Sequence, residues 1–201
     1  SLAELHTRYD AVFLGIGLQA SRALGLTGED APGLMAAIDY IAALRQASDL
    51  STLPVPRQAV VIGAGNTAID MAVQIKRLGA EDVTLVYRRG LESMSATGHE
   101  IEIAKANFVR IRTWAAPLEV LLDEAGRVTG MRFEQTRMEE GRLVRTGGFL
   151  EIAADAVFKA IGQGMSEEGF NELLAQELRN KLSREGERIW ICLLYTSDAA
   201  D

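Results

Sequence analysis

The sequence has 201 residues, 48% of them hydrophobic, and a formal net charge of −7, which together describe a globular chain of one large domain or parts of two. The acidic balance argues against a nucleic-acid surface, no apolar run reaches the ~20 residues of a membrane-spanning helix, and the opening SLAELHTRYD does not read as a signal peptide. A single cysteine excludes a disulfide framework and any cysteine-ligated zinc or iron–sulfur site built from this segment alone, so a reducing cytoplasm is the expected compartment.

Tyr9–Leu14 is a short apolar strand that ends in Gly15-Ile16-Gly17, with its sheet partners expected to be absent. Glycine and proline punctuation over Gly25–Gly33 marks a loop, and Leu34–Ala47 carries apolar residues at helical spacing. Ser48–Arg57, with two prolines, is a connector. Strand Gln58–Ile62, a glycine turn, a helix with Ala68, Ile69, Ala72, Val73 and Ile75 on its inner face, and strand Val83–Tyr87 follow, Gly79 stopping the helix. A helix at His99–Ala106 and a strand at Phe108–Arg112 come next. Alternation over Leu118–Leu122, Val128–Thr136 and Leu143–Ile152 predicts a three-stranded antiparallel region with turns at Asp123–Gly126 and Glu139–Gly141. Ala156–Phe158 returns to the parallel sheet and leads to Ala160-Ile161-Gly162.

The stretch Val60–Arg89 organises the rest. Its turn carries Gly63-x-Gly65-x-x-Ala68, an accepted form of the dinucleotide-binding fingerprint in strand–turn–helix context. Gly63 permits the tight turn, Gly65 lets backbone approach a pyrophosphate, and Ala68 allows close helix–strand packing. Gly63, Ala64, Gly65, Asn66 and Thr67 are therefore the candidate phosphate cradle, at the positive end of the helix dipole. An NAD site wants a carboxylate about 20 residues further on; this chain has Arg88 and Arg89 there, whose planar forks suit a 2′-phosphate and favour NADPH. A solvated basic strand end is the plainer reading of the same pair.

Other catalytic templates fail. There is no GxxxxGK loop, no GxSxG elbow and no tyrosine followed four residues later by lysine; the two histidines, His6 and His99, supply no obvious base. That poverty fits hydride transfer between a nicotinamide and a flavin, where the cofactors supply the chemistry and the protein holds the rings. The segments Tyr9–Gly17 and Asp155–Gly162 share one plan, Asp-Ala-Val-Phe, two variable positions, then Ile-Gly. They read as the glycine-ended strands of two related nucleotide-binding units, each with its end against its own cofactor.

The joined motifs YDAVFLGIGL, VVIGAGNTAID, RLGAEDVTLVYRRG and ADAVFKAIGQ resemble the flavin-dependent pyridine nucleotide reductases of the glutamate synthase small-subunit type, over Tyr9 to Gln163. Within that family the sequence is most similar to the flavoprotein subunits of bacterial NAD-dependent dihydropyrimidine dehydrogenases. The resemblance implies an α/β, Rossmann-like FAD/NAD(P)-binding fold, in which an NAD(P)H domain interrupts an FAD domain. It puts Gly15 and Gly17 near FAD, Arg88 and Arg89 at the adenosine ribose, and Ala160, Ile161 and Gly162 along the nicotinamide half. Electrons would pass from NAD(P)H to FAD and on to a larger catalytic subunit or domain with FMN and iron–sulfur clusters, whose cysteines lie outside this sequence. A glutamate synthase reductase and a non-redox NAD(P)H sensor are the alternatives.

The family's first FAD fingerprint and its late Gly-Asp motif are not found, so an incomplete two-domain flavoprotein, inactive alone, is expected. The expected domains are 1–52, a part of the FAD domain with connector; 53–163, the NAD(P)H domain; and 164–191, a truncated return to the FAD domain. Relatives by description use NADH, and some carry a further basic residue where this chain has Ser95, so the coenzyme stays open. The last segment, 192–201, can be encoded by a transposon adapter used in sequencing libraries and is expected to be non-native, its cysteine included.

Overall fold

The computed structural model describes residues 2–9, 12–14, 20–164 and 189–191. In chain order the elements are α1 (Leu2–Arg8), β1 (Val12–Leu14), β2 (Ala20–Ser21), β3 (Leu34–Ala36) and α2 (Ala37–Gln46). β4 (Gln58–Gly63), α3 (Asn66–Leu78), β5 (Asp82–Val86), α4 (Gly98–Ala106) and β6 (Arg110–Arg112) follow. β7 (Ala115–Leu122), β8 (Val128–Glu139), β9 (Arg142–Ala153), β10 (Ala156–Ala160), β11 (Gln163–Gly164) and β12 (Ile189–Ile191) complete the set.

Ala23–Gly162 form one compact unit. Its centre is a five-stranded sheet in the order β3-β10-β4-β5-β6, every pair parallel. The apolar runs of β4 and β5 suit such a sheet, because both faces are covered. On one face α2, α3 and α4 pack over Val61, Leu85 and Phe158; on the other the antiparallel sheet β7-β8-β9 covers Val60, Ile62, Val86 and Val157. The fold class is as the sequence predicts: α/β, with a parallel sheet and a three-stranded antiparallel sheet.

Helix α3 forms where the apolar spacing puts it. Ala68, Ile69, Met71, Ala72, Val73 and Ile75 are buried, and each of the large ones contributes about 1.5–3 kcal/mol by leaving water. Gly79, at φ +121°, stops the helix, and its N–H donates to the carbonyls of Ile75 and Lys76. Asp155 explains the acidic residue that opens the Asp-Ala-Val-Phe plan. Its Oδ2 accepts from the N–H groups of Arg57 (2.8 Å) and Gln58 (3.0 Å), so the first turn of β10 is stapled to the start of β4. Tyr40 meets Phe158 edge to face at 5.3 Å and donates its hydroxyl to the Pro54 carbonyl, which ties the connector to α2.

Three differences from the sequence reading have physical causes. Leu34–Ala36 is a strand, not the first turn of a helix, because it pairs with Val157–Lys159 of β10. The sheet therefore takes in β3, which the sequence reading grouped with the flanking segment 1–52. And β1 does have a partner: it runs parallel to β12, from Val12 opposite Ile189 to Leu14 opposite Ile191. In the same second unit β2 and β11 pair antiparallel, Ser21 opposite Gln163. Gly15, Gly17 and the tail 192–201 lie outside the described residues. Among the described residues no helix is long and apolar enough to cross a membrane.

Candidate functional site

The glycine turn stands at the carboxyl end of β4, where ligands sit in open α/β sheets. Gly63 is the last residue of β4 and lies opposite Ala160, the last of β10. A Cβ at Gly63 would lie 2.9 Å from the Ala160 carbonyl carbon, closer still to its oxygen, and 3.0 Å from the Ala68 Cβ. The first glycine is thus required by the close approach of a neighbouring strand as much as by the turn. Ala68 is completely buried and fills the remaining space.

Helix α3 begins directly after the turn. Gly65 is its N-cap, with no side chain to cap the helix and no acidic residue in the first turn. The first intrahelical donors are Ala68 N and Ile69 N, both to Gly65 O at 3.0 and 3.2 Å. Helix geometry leaves the N–H groups of Asn66 and Thr67 without an intrahelical acceptor, and the helix dipole adds positive potential there. This is a fit for an anion such as a pyrophosphate.

The loop after β5 is built against this turn. Ala96 N donates to Ala64 O at 2.9 Å, and Thr97 N to the Asn66 Oδ1 at 3.4 Å. Thr97 also caps α4 by accepting from Glu100 N. Arg88 is exposed and Arg89 half-buried at the start of this loop. Their backbone is held from the other side: the Thr136 hydroxyl donates to Arg88 O at 2.6 Å, and Trp114 N donates to Arg89 O at 3.0 Å. The Tyr87 hydroxyl donates to Ser93 O at 3.0 Å across the loop.

The predicted residues therefore divide. Gly63, Ala64, Gly65, Asn66 and Thr67 form one turn, Ala160 is directly opposite it, and Ile161 and Gly162 continue from Ala160, Gly162 at φ +98°. Arg88 and Arg89 follow the adjacent strand, whose loop touches the turn through Ala64 and Asn66. Gly15 and Gly17, expected near FAD, are outside the described residues.

Sequence reasoning missed Thr136, Trp114 and a part-buried ion pair. Lys159, one residue before Ala160, donates to Glu29 Oε1 at 2.6 Å, with side chains 14% and 10% exposed. Glu29 also accepts from the N–H groups of Leu24 (2.7 Å) and Gly25 (2.8 Å). Burial pushes the Glu29 carboxyl up, but the bonds from Lys159 and the two amides outweigh it and hold the group below its ordinary value. A lysine inside the otherwise apolar Val157–Ala160 run was the available signal. A separate cavity of about 270 Å³ opens at the other end of the strands, against Gln58, Asp82, Thr84, Arg110 and Arg112. Asp82 and Arg110 pair with each other there, and the cavity shares no residue with the glycine turn.

The sequence profile of the pyridine nucleotide-disulphide oxidoreductases matches residues 3–185. The beta subunit of the NADPH-Fe(3+) oxidoreductase of Geobacter sulfurreducens is 37% identical over 81% of this chain and 25% of its own. The small chain of glutamate synthase [NADPH] of Escherichia coli is 35% identical over 80% of this chain and 37% of its own. The PreT subunit of NAD-dependent dihydropyrimidine dehydrogenase of Salmonella typhimurium is 32% identical, over 88% and 38%. The chain thus spans between a quarter and two fifths of the length of these relatives. Among solved structures, Mycobacterium tuberculosis FprA in complex with NADPH superposes with a TM-score of 0.64 at 22% identity, over 81% of this chain and 52% of that one.

Proposed function

The chain belongs to the pyridine nucleotide-disulphide oxidoreductase family, NAD(P)H-dependent FAD oxidoreductases, and from that premise we propose that its unit Ala23–Gly162 holds NADPH as hydride donor. The observation that carries this reading is the Gly63 turn, closed against Ala160 and opening onto the uncapped N-terminus of α3. In this reading the N–H groups of Asn66 and Thr67 bind the pyrophosphate, and Gly65 allows the approach. Arg88 and Arg89 meet the 2′-phosphate, with permanent charge and forked donors. Ala160, Ile161 and Gly162 line the nicotinamide half.

In this reading the segments before Ala23 and after Gly162 take the FAD role, with Gly15 and Gly17 near the flavin. A flavin bound by the protein that contains this chain would supply the hydride acceptor. This chain's residues orient the donor ring and contribute no acid or base. The relatives named above include a beta subunit, a small chain and a dehydrogenase subunit, which supports a partner subunit carrying the acceptor site. We assign the pyrimidine-reducing type first, with iron–sulfur clusters and FMN in the partner, and the glutamate synthase type second.

The test is anaerobic mixing of NADPH or NADH with the flavin-loaded protein that contains this chain. NADPH should bleach the oxidised flavin at lower concentration than NADH. Arg88→Glu should weaken NADPH about 10–100-fold, the worth of a charge-assisted hydrogen bond of ~1.5–3 kcal/mol, and leave NADH nearly unchanged. An NADPH preference untouched by Arg88→Glu removes Arg88 as phosphate ligand. Tight nucleotide binding with the flavin still oxidised favours the sensor instead.

A further inference from the structure

The ladder between β5 and β6 ends at Val86 opposite Arg112, so Arg88 and Arg89 stand beyond the sheet. Nothing in regular secondary structure fixes their backbone. Their guanidinium forks can match a phosphate only if the chain beneath them is held.

The antiparallel sheet does the holding. Thr136 is only 5% exposed, and its hydroxyl donates to Arg88 O at 2.6 Å. Trp114 N donates to Arg89 O at 3.0 Å, and Thr136 N donates back to Trp114 O at 2.9 Å, which closes a three-way clamp. Trp114 adopts φ +60°, a left-handed conformation that is unfavourable for a residue bearing a side chain. Strain of this kind persists where surrounding bonds over-determine it, and here both backbone polar groups of Trp114 are engaged. The alternation of β8 breaks here, with Phe133 and Thr136 buried and Gln135 exposed, so Thr136 faces inward.

We propose that Thr136, through Arg88, and Trp114, through Arg89, are positioning residues that set the preference for a 2′-phosphorylated dinucleotide. The inference rests on the reading of Arg88 and Arg89 as the phosphate ligands. Neither Thr136 nor Trp114 need touch the nucleotide. Removing the Thr136 hydroxyl leaves the Arg88 carbonyl without its buried donor and lets the guanidinium drift.

The experiment is titration of the chain with NADPH and with NADH, following the quenching of tryptophan fluorescence. It uses wild type, Thr136→Val, Thr136→Ser and Arg88→Ala, each with a thermal melt. Thr136→Val should weaken NADPH about tenfold and NADH less than twofold, so the selectivity ratio falls, and Thr136→Ser should restore most of it. Should the valine variant not fold, Thr136→Ala against Thr136→Ser gives the same comparison. Equal weakening of both nucleotides marks a merely structural residue and overturns the proposal. If Arg88→Ala collapses the ratio while Thr136→Val keeps it, the clamp is wrong and the arginine reading stands. If Arg88→Ala leaves the ratio unchanged, both fall.

Discussion

Gly63→Ala should cost the chain both stability and NADPH binding. The new methyl would overlap the Ala160 carbonyl and press on Ala68 at 3.0 Å. Neither neighbour can yield by a rotamer change: one is backbone of the paired strand β10, the other is a fully buried Cβ. Overpacking of this kind costs about 1–3 kcal/mol, and at this chain length each kcal/mol lowers the melting temperature by roughly 2–4 °C. The functional effect should be larger. Relief requires either β10 to part from β4 at its carboxyl end or α3 to move outward. The first displaces Ala160 and the residues after it, and the second displaces the N–H groups of Asn66 and Thr67. We expect NADPH affinity to drop by well over tenfold in a chain that still melts cooperatively. An affinity within twofold of wild type would mean that the turn is not the phosphate cradle.

Lys159→Met is the second large effect, and it acts through Glu29. The Lys159 Nζ and the N–H groups of Leu24 and Gly25 together compensate a carboxylate that is 10% exposed. Removing Lys159 leaves the part-buried carboxylate with only its two amide donors, which costs about 1.5–3 kcal/mol out of a typical total of ~5–15. The pH dependence follows from the direction of the shift. The folded Glu29 carboxyl lies below its unfolded value, so in wild type its contribution is fully present above the unfolded pKa of about 4.3 and is lost as pH falls through the folded value. In Lys159→Met burial is left without its main counterweight, and the carboxyl moves up. Urea melts at falling pH should therefore show the deficit against wild type shrinking as the stranded carboxyl takes a proton. Glu29→Gln added to Lys159→Met should recover part of the loss at neutral pH. A deficit that is constant from neutral pH down to about 4 would contradict this account.

These two residues also mark what the sequence could disclose. Gly63 belongs to a local pattern of six residues, and so do the inner face of α3 and the Gly79 stop; each element is decided by its own neighbours. The pair Glu29 and Lys159 lies 130 residues apart, and only the folded sheet brings them together. Leu34-Met35-Ala36 fits a helical or an extended period equally well, and the choice is made by pairing with β10. Thr136 was hidden for another reason. The inward face of β8 changes beside it, Phe133 and Thr136 being buried and Gln135 exposed, so strict alternation misjudges which side chains turn in. The arginine pair was legible because charge at the end of a buried strand is conspicuous. The clamp beneath it consists of backbone carbonyls, which leave no mark in a sequence.

The central claim is that the turn Gly63–Thr67 binds the pyrophosphate of the hydride donor. Its most direct test is an NMR titration of the isotopically labelled chain with NADPH, read at backbone amides. Saturable shifts are expected at Gly65, Asn66 and Thr67, with Arg88 and Arg89 moving at the same concentrations. Shifts confined to the cavity lined by Thr84, Arg110 and Arg112, with the turn silent at saturation, would contradict it.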